Sequence, residues 1–205
     1  MRDLATKIKD IYDRNAQAFD QQRNKSLFEK AWIDRFLSLI VKGSTILDMG
    51  CGTGEPIAKY IIDQQYSIIG VDFSQKMIDI VSRRFPEQLW FCTDMRFFYP
   101  EKQYDGLISW GAFFHLTPCE QRSTLARFAE HLAPRGILLL TVGHEPGEVT
   151  GVVNGELVYH SSLSIVEYEQ ILEQNQCKLL DFVPQDPTCG GHSILLAQKI
   201  CSRLY

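Results

Sequence analysis

Residues 44–54, Ser44-Thr45-Ile46-Leu47-Asp48-Met49-Gly50-Cys51-Gly52-Thr53-Gly54, decide how this chain folds. A short apolar run, Thr45-Ile46-Leu47, ends in Asp48, and glycines then occupy every second position. Lacking Cβ atoms, such a junction lets backbone amides approach a ligand that any side chain would push away. The dinucleotide fingerprint needs its third glycine three residues after the second. That position is Glu55, so the NAD pattern fails on spacing.

The next apolar run, Ser67-Ile68-Ile69-Gly70-Val71, also ends in an acid, Asp72. In a βαβ nucleotide site the carboxylate closing the second strand accepts hydrogen bonds from ribose hydroxyls. A third landmark, Phe91-Cys92-Thr93-Asp94-Met95, follows at another expected strand end. In order and spacing these three segments resemble the motifs of the class I S-adenosylmethionine-dependent methyltransferases, over roughly residues 40–143. The resemblance implies S-adenosyl-L-methionine as cofactor and S-adenosyl-L-homocysteine as product. It assigns Asp48, Gly50, Cys51, Gly52 and Gly54 to the cofactor loop, Asp72 to the ribose, and Phe73 and Met77 to the same side. Asp94 and Met95 are implied at the adenine, and Tyr12, with Asn15 and Phe19, in an N-terminal helix that closes over the cofactor; the alternative buries Tyr12 in that helix's packing face.

Around these motifs the chain reads as an α/β protein. Strands are expected near 45–49, 67–72, 89–92, 104–110 and 136–143, with helices near 54–64, 74–85 and 118–132. That alternation argues for a parallel sheet covered on both faces. Leu4, Ile8, Ile11, Tyr12 and Phe19 mark one amphipathic helix. Leu27, Phe28, Ala31, Trp32, Phe36 and Ile40 mark a second, which Gly43 ends. Thr117-Pro118-Cys119-Glu120 and Ser164-Ile165-Val166-Glu167 are capping boxes that open helices. Asn154-Gly155 between apolar runs predicts a tight hairpin, and segments 177–184 and 192–199 predict a final antiparallel pair. The expected architecture is Rossmann-like and doubly wound. Its mostly parallel seven-stranded sheet ends in an antiparallel hairpin strand, with N-terminal capping helices over residues 1–42. A hairpin flap over 144–162 completes one domain of residues 1–205.

Bulk properties narrow the function. The 205 residues carry a formal net charge of −4, with no lysine or arginine run, which argues against a broad nucleic-acid surface. The six cysteines show no CxxC pair, and no metal site is expected. Free thiols, the lack of a signal-peptide core and the lack of a spanning apolar stretch point to a cytoplasmic protein off the membrane. Nothing in the sequence bears on oligomeric state.

The fourth strand delivers Trp110-Gly111-Ala112-Phe113-Phe114-His115 to the rim where ligands bind. By resemblance, Trp110 faces the cofactor, while Phe114 and His115 face the substrate. His115 is the one candidate general base, since an imidazole titrates near neutrality. The competing reading has it bonded to a neighbouring loop. Tyr159 and His160 either enter the substrate pocket or lie on the hairpin's outer face. Pro118-Cys119 resembles a cytosine-methyltransferase nucleophile, but the capping box explains Pro118. Ser109-Trp110-Gly111-Ala112 stands where nucleic-acid amino methyltransferases carry Asn/Asp-Pro-Pro-aromatic. The leading expectation is methyl transfer to a small-molecule acceptor. A non-catalytic cofactor- or nucleotide-binding protein is the alternative. A nicotinamide-dependent reductase ranks below both, because no Tyr-x-x-x-Lys pair is present.

Overall fold

A computed structural model of the chain describes residues 2–201. Met1 and residues 202–205, the ends of the expected 1–205 unit, lie outside that range. The chain opens with α1 (Arg2–Ala5), α2 (Ile8–Gln22) and α3 (Lys30–Ser38). The alternating part then runs β1 (Thr45–Met49), α4 (Ile57–Asp63), β2 (Ser67–Asp72), α5 (Gln75–Arg84), β3 (Leu89–Cys92), β4 (Tyr104–Ser109), α6 (Pro118–His131) and β5 (Leu132–Val142). A hairpin, β6 (Gly147–Val153) and β7 (Glu156–Ser162), precedes α7 (Ile165–Gln174), β8 (Cys177–Asp186) and β9 (His192–Lys199).

Seven strands form one sheet in the order β3-β2-β1-β4-β5-β9-β8, parallel except where β9 pairs antiparallel with β5 and β8. This is the expected Rossmann-like doubly wound arrangement, with strand order reversing between β1 and β4. Strand side chains alternate between two cores, as the two-residue period requires. Leu47, Leu107, Leu138 and Leu195 face α6 and α7. Ile46, Ile108, Leu139 and Leu196 face α3 and α4. The β6–β7 hairpin is a separate two-stranded sheet.

The structure shifts several expected boundaries. The first helix splits, because Lys7 N–H closes on Leu4 O at 3.1 Å and Thr6 Oγ1 donates to Asp3 O at 3.0 Å. Helix α4 starts at Ile57 rather than 54, since Gly54 sits at φ +82° and Glu55-Pro56 completes the turn. Strand β5 begins at Leu132 rather than 136, directly after α6. The box at Thr117 forms in full, whereas at Ser164 only the serine half is made. There Glu167 is drawn to Arg122 Nε at 2.5 Å.

The last two strands are tied back to the N-terminal helices. Asp186 accepts from Thr188 N–H at 2.8 Å and from the Trp32 indole N–H at 2.7 Å. Because β9 runs against the parallel strands, it starts at the rim where they end, with Ser193 opposite Val142. That reversal brings His192 to the ligand-binding edge.

Candidate functional site

At the tip of β1 the three glycines do different work. A Cβ at Gly50, with φ +88°, would lie 2.2 Å from the Ala112 Cβ. A Cβ at Gly54 would lie 2.7 Å from Val81 and 2.9 Å from Phe85 of the α5 segment. Gly52, at φ +53°, is open, its nearest neighbour being the Phe19 ring at 3.8 Å. Two glycines thus permit close packing, and the middle one leaves backbone bare to a cavity.

That cavity, about 250 Å³, is walled by the loop, Tyr12, Asp48, Met77, Trp110 and His192, and Cys51 also lines it. Next to it lies a larger cavity of about 920 Å³ reaching Cys92, Asp94, Met95, Arg96 and the start of α6. Gly50, Asp72, Phe73 and His115 border both. Thus Tyr12, Asp48, the loop residues, Asp72, Phe73, Met77, Asp94, Met95 and Trp110 each line one or both of two adjoining cavities. Phe114, Tyr159 and His160 line neither cavity. Tyr159 is fully buried against Ile8, Ile11 and Val158. Phe114 and His160 stack edge-on at 4.6 Å, and His160 lies 4.9 Å from His115.

The electrostatics favour a ligand with positive charge. Asp72 is buried, its Oδ2 accepting from Gly52 N–H at 3.0 Å and its Oδ1 from Ser74 N–H at 2.9 Å. Each oxygen keeps a second lone pair for a hydroxyl donor. Burial pushes its carboxyl up to about 6. Asp48 is buried, lines the smaller cavity and has no hydrogen-bond partner among the described residues. Burial, then the Asp72 charge, push it up to about 7. The Cys51 thiol is likewise raised by burial and then by both carboxylates, which leaves it unreactive. Asp94 is held differently: Arg96 Nε contacts both its oxygens at 3.0 Å, and Arg96 also pairs with Glu120 of the α6 cap.

His115 has both ring nitrogens engaged. The Tyr159 carbonyl can only accept, so the 2.8 Å contact with Nδ1 places the proton there. Neutral Nε2 therefore accepts from the Tyr12 hydroxyl, also at 2.8 Å. Burial is the main cause that lowers the imidazole to about 4, so it stays neutral in ordinary buffers. Tyr12 is raised, again chiefly by burial and then by Asp72. The loop bearing His115 is braced from β7, where Ser161 Oγ donates to Leu116 O at 2.6 Å.

Helix α2 forms the roof, and charged contacts fix it. Asp13 accepts from Ser74 Oγ at 2.6 Å, and Asp20 accepts from both Arg84 terminal nitrogens at 2.9 and 2.8 Å. The Arg84 bonds hold the Asp20 carboxyl down at about 2. On the other side, Asn15 donates to Glu156 of the hairpin at 2.7 Å. Phe19, expected beside Tyr12 in the closing helix, lines the smaller cavity. Sequence reasoning missed Arg23 and His192 there, and both sit outside any periodic pattern.

Residues 46–136 match the family model described as a methyltransferase domain. That stretch of the chain is a methyltransferase domain, the fold and the match together supporting a class I S-adenosylmethionine-dependent methyltransferase. The chain is 29% identical over 139 residues to a Bos taurus protein named "Probable tRNA methyltransferase 9B". That match covers 66% of this chain but only 28% of the relative, so the chain spans under a third of its length. Its fold is similar to that of the S-adenosylmethionine-bound amino pentose methyltransferase of Micromonospora echinaspora. The TM-score is 0.69 at 20% identity, over 89% of this chain and 95% of the other. The 1,6-didemethyltoxoflavin-N1-methyltransferase of Burkholderia thailandensis gives a TM-score of 0.73 at 17% identity, over 97% and 90% of the two chains. Their names give tRNA, an amino pentose and 1,6-didemethyltoxoflavin, so the similarity alone carries no acceptor.

The cleft fits the family's cofactor, S-adenosylmethionine. Bare backbone at Gly52, a partnerless buried carboxylate at Asp48 and free lone pairs on Asp72 suit loop, cation and ribose in turn. No metal-ligating cluster occurs among the described residues. No helix among them is long and apolar enough to cross a membrane.

Proposed function

We propose that this methyltransferase domain transfers the methyl group of S-adenosylmethionine to a small-molecule acceptor. The observation that carries the reading is the roof: Tyr12 bonds His115 at 2.8 Å and the Phe19 ring lies by Gly52, so α2 covers part of the loop. The net charge of −4 supports it, since a polynucleotide is gathered by clustered positive charge. A cytoplasmic setting belongs to the same proposal, and Cys51, Cys92, Cys119, Cys177 and Cys189 are free thiols.

The bound cofactor supplies an electrophilic methyl carbon whose donor sulfur loses its positive charge on transfer. The chain's own residues bind, orient and exclude water. Alignment of two reactants is worth about 7–11 kcal/mol in well-ordered systems, enough to carry much of such a displacement. Enclosure strengthens the pull of Asp48 and Asp72 on a cationic ligand. Trp110 is assigned to the cofactor side and His115 to the rim that both cavities share, with His115 holding Tyr12 and the loop rather than abstracting a proton. Tyr159 and His160 support that loop from the hairpin.

Calorimetry with S-adenosylmethionine and S-adenosylhomocysteine tests the cofactor half; absence of heat for both ends the proposal. A labelled-methyl screen over amino sugars, nitrogen heterocycles and bulk tRNA tests the acceptor half. The tRNA methyltransferase similarity favours a second reading, a nucleic-acid acceptor, and label on tRNA alone would select it. Cofactor binding with no labelled product in any pool would select a non-catalytic binder.

A further inference from the structure

Two histidines line the smaller cavity, and they are held in opposite ways. His115 gives its ring nitrogens to Tyr12 and to the Tyr159 carbonyl. His192, the first residue of β9, gives neither of its own. No hydrogen bond to its imidazole occurs among the described residues, and neither ring nitrogen is sealed from solvent.

Packing holds this ring instead. Phe28 stacks on its face, with centroids 6.0 Å apart and 9° between the planes, and Trp110 meets it edge-on at 5.7 Å. A Cβ at Gly190 would lie 3.1 Å from Phe28, so the left-handed turn before β9, at φ +64°, leaves room for that stack. An imidazole fixed by its faces keeps one N–H and one lone pair unspent. Burial, then the Arg23 charge, lower its pKa against the pull of Glu29, so it is neutral at neutral pH.

Its place in the sheet sets it apart from the motif residues. Asp72, the glycine loop and Trp110 stand at the tips of three adjacent strands, β2, β1 and β4. Strand β9 lies two strands, about 10 Å, beyond β4, and enters the rim from the opposite direction. His192 therefore closes the cavity at the end away from Asp72, beside Trp110.

We propose that His192 is the catalytic base of this domain, taking the proton from a ring-borne hydroxyl or N–H of a phenol or nitrogen heterocycle. This inference rests on methyl transfer to a small molecule, as proposed above. The acceptor's oxygen or nitrogen lone pair forms the new bond to the methyl carbon. The carbon–sulfur bond breaks with its electron pair left on sulfur, and the acceptor's proton passes to the free lone pair of His192. Aromatic walls at Trp110 and His192 favour a flat acceptor. A ring hydroxyl or N–H sheds its proton readily as the methyl bond forms, which suits a weak base. An alkylammonium would keep its proton against the same base.

The first test is diethyl pyrocarbonate labelling of the full chain, mapped by mass spectrometry. His192 should label ahead of His115, whose lone pair is taken. It should still label with S-adenosylhomocysteine bound, because the acceptor needs that end open. The second test is turnover on phenols and nitrogen heterocycles. His192→Gln should lower kcat roughly 100-fold or more, the usual worth of a positioned base, with S-adenosylhomocysteine affinity by calorimetry within about twofold of the parent. Should that variant melt too early to assay, His192→Asn makes the same comparison. An imidazole left unlabelled in the free chain, or shielded by S-adenosylhomocysteine, overturns the base role. So does a variant whose kcat stays within about threefold, or methyl label found only outside the ring acceptors. If the unsubstituted chain gives no heat with S-adenosylhomocysteine, the methyl-transfer reading itself fails and takes the base role with it.

Discussion

Replacing Asp48 by Asn separates what this carboxylate costs the empty fold from what it contributes to binding. Asp48 is the penultimate residue of β1, buried, its carboxylate without a hydrogen bond among the described residues and near the charge of Asp72. Its carboxyl rises from 3.8 to about 7 on folding. Between those values the folded chain holds a proton that the unfolded chain has released. The stabilising contribution is therefore fully present below pH 3.8 and is lost as pH climbs to 7. At 1.36 kcal/mol per pH unit, the loss amounts to about 4 kcal/mol. Asparagine keeps the shape and stays neutral, so Asp48→Asn should match the parent near pH 4 and exceed it by up to about 4 kcal/mol at pH 8. For a chain of this size, each kcal/mol moves the midpoint by about 2–4 °C, so the gap at pH 8 should reach roughly 8–16 °C.

The assay is thermal melting of ligand-free protein, followed by circular dichroism at pH 4, 6 and 8. Asp72 titrates in both proteins and cancels from the comparison. The same variant should bind S-adenosylhomocysteine at least about tenfold more weakly at pH 8, through loss of a charged partner for the ammonium. Two melting curves that run parallel from pH 4 to 8 would refute the reasoning, because the carboxylate would then be solvated. A more stable variant with undiminished affinity would refute the binding half alone.

Three further substitutions probe the neighbouring parts. Gly50→Ala drives a Cβ to 2.2 Å from Ala112 at φ +88°, and should cost upwards of about 2 kcal/mol in urea unfolding. Gly52→Ala meets open space, so it should cost about 1–2 kcal/mol of left-handed strain yet abolish measurable cofactor binding in a titration. His115 binds its proton at about 4 when folded and 6.5 when free, so its contribution is present above pH 6.5 and lost as pH falls toward 4. Nitrogen-15 spectra should accordingly show one Nδ1–H tautomer from pH 8 to 5, and imidazolium at pH 6 would contradict the bond to Tyr159 O. Trp32→Phe removes the 2.7 Å bond to Asp186 and should lower stability by about 1–3 kcal/mol without touching cofactor affinity.

The sheet was legible in the sequence because its signals are local. Thr45–Asp48 and Ser67–Asp72 are short β-branched runs closed by acids, and each glycine or capping box fell between them. The separate hairpin was also readable, since Asn154-Gly155 takes the two positive-φ positions a tight turn requires. What stayed hidden depends on contacts distant along the chain. His115 carries no mark showing that its two ring nitrogens are taken by residues 12 and 159. Likewise Tyr159 reads equally as a pocket residue or an exposed hairpin aromatic, yet α1 and α2 fold over that face and bury it. Arg23 and His192 join the cavity only through the exit of α2 and the reversal of β9.

These long-range contacts also bear on His115 as a candidate base. A base must offer a free lone pair near its target, and His115 spends that lone pair on Tyr12. The same bond ties the roof helix to the β4 rim, while Arg84 and Ser74 tie it to α5 and Glu156 ties it to the hairpin. Every one of these is a constraint on geometry, and a displacement at a cationic donor is the kind of reaction that geometry can accelerate. Asp48 gives the arrangement its direction. A carboxylate kept without a partner weakens the empty protein as pH rises, so a cation entering the cavity recovers free energy that the fold itself forgoes.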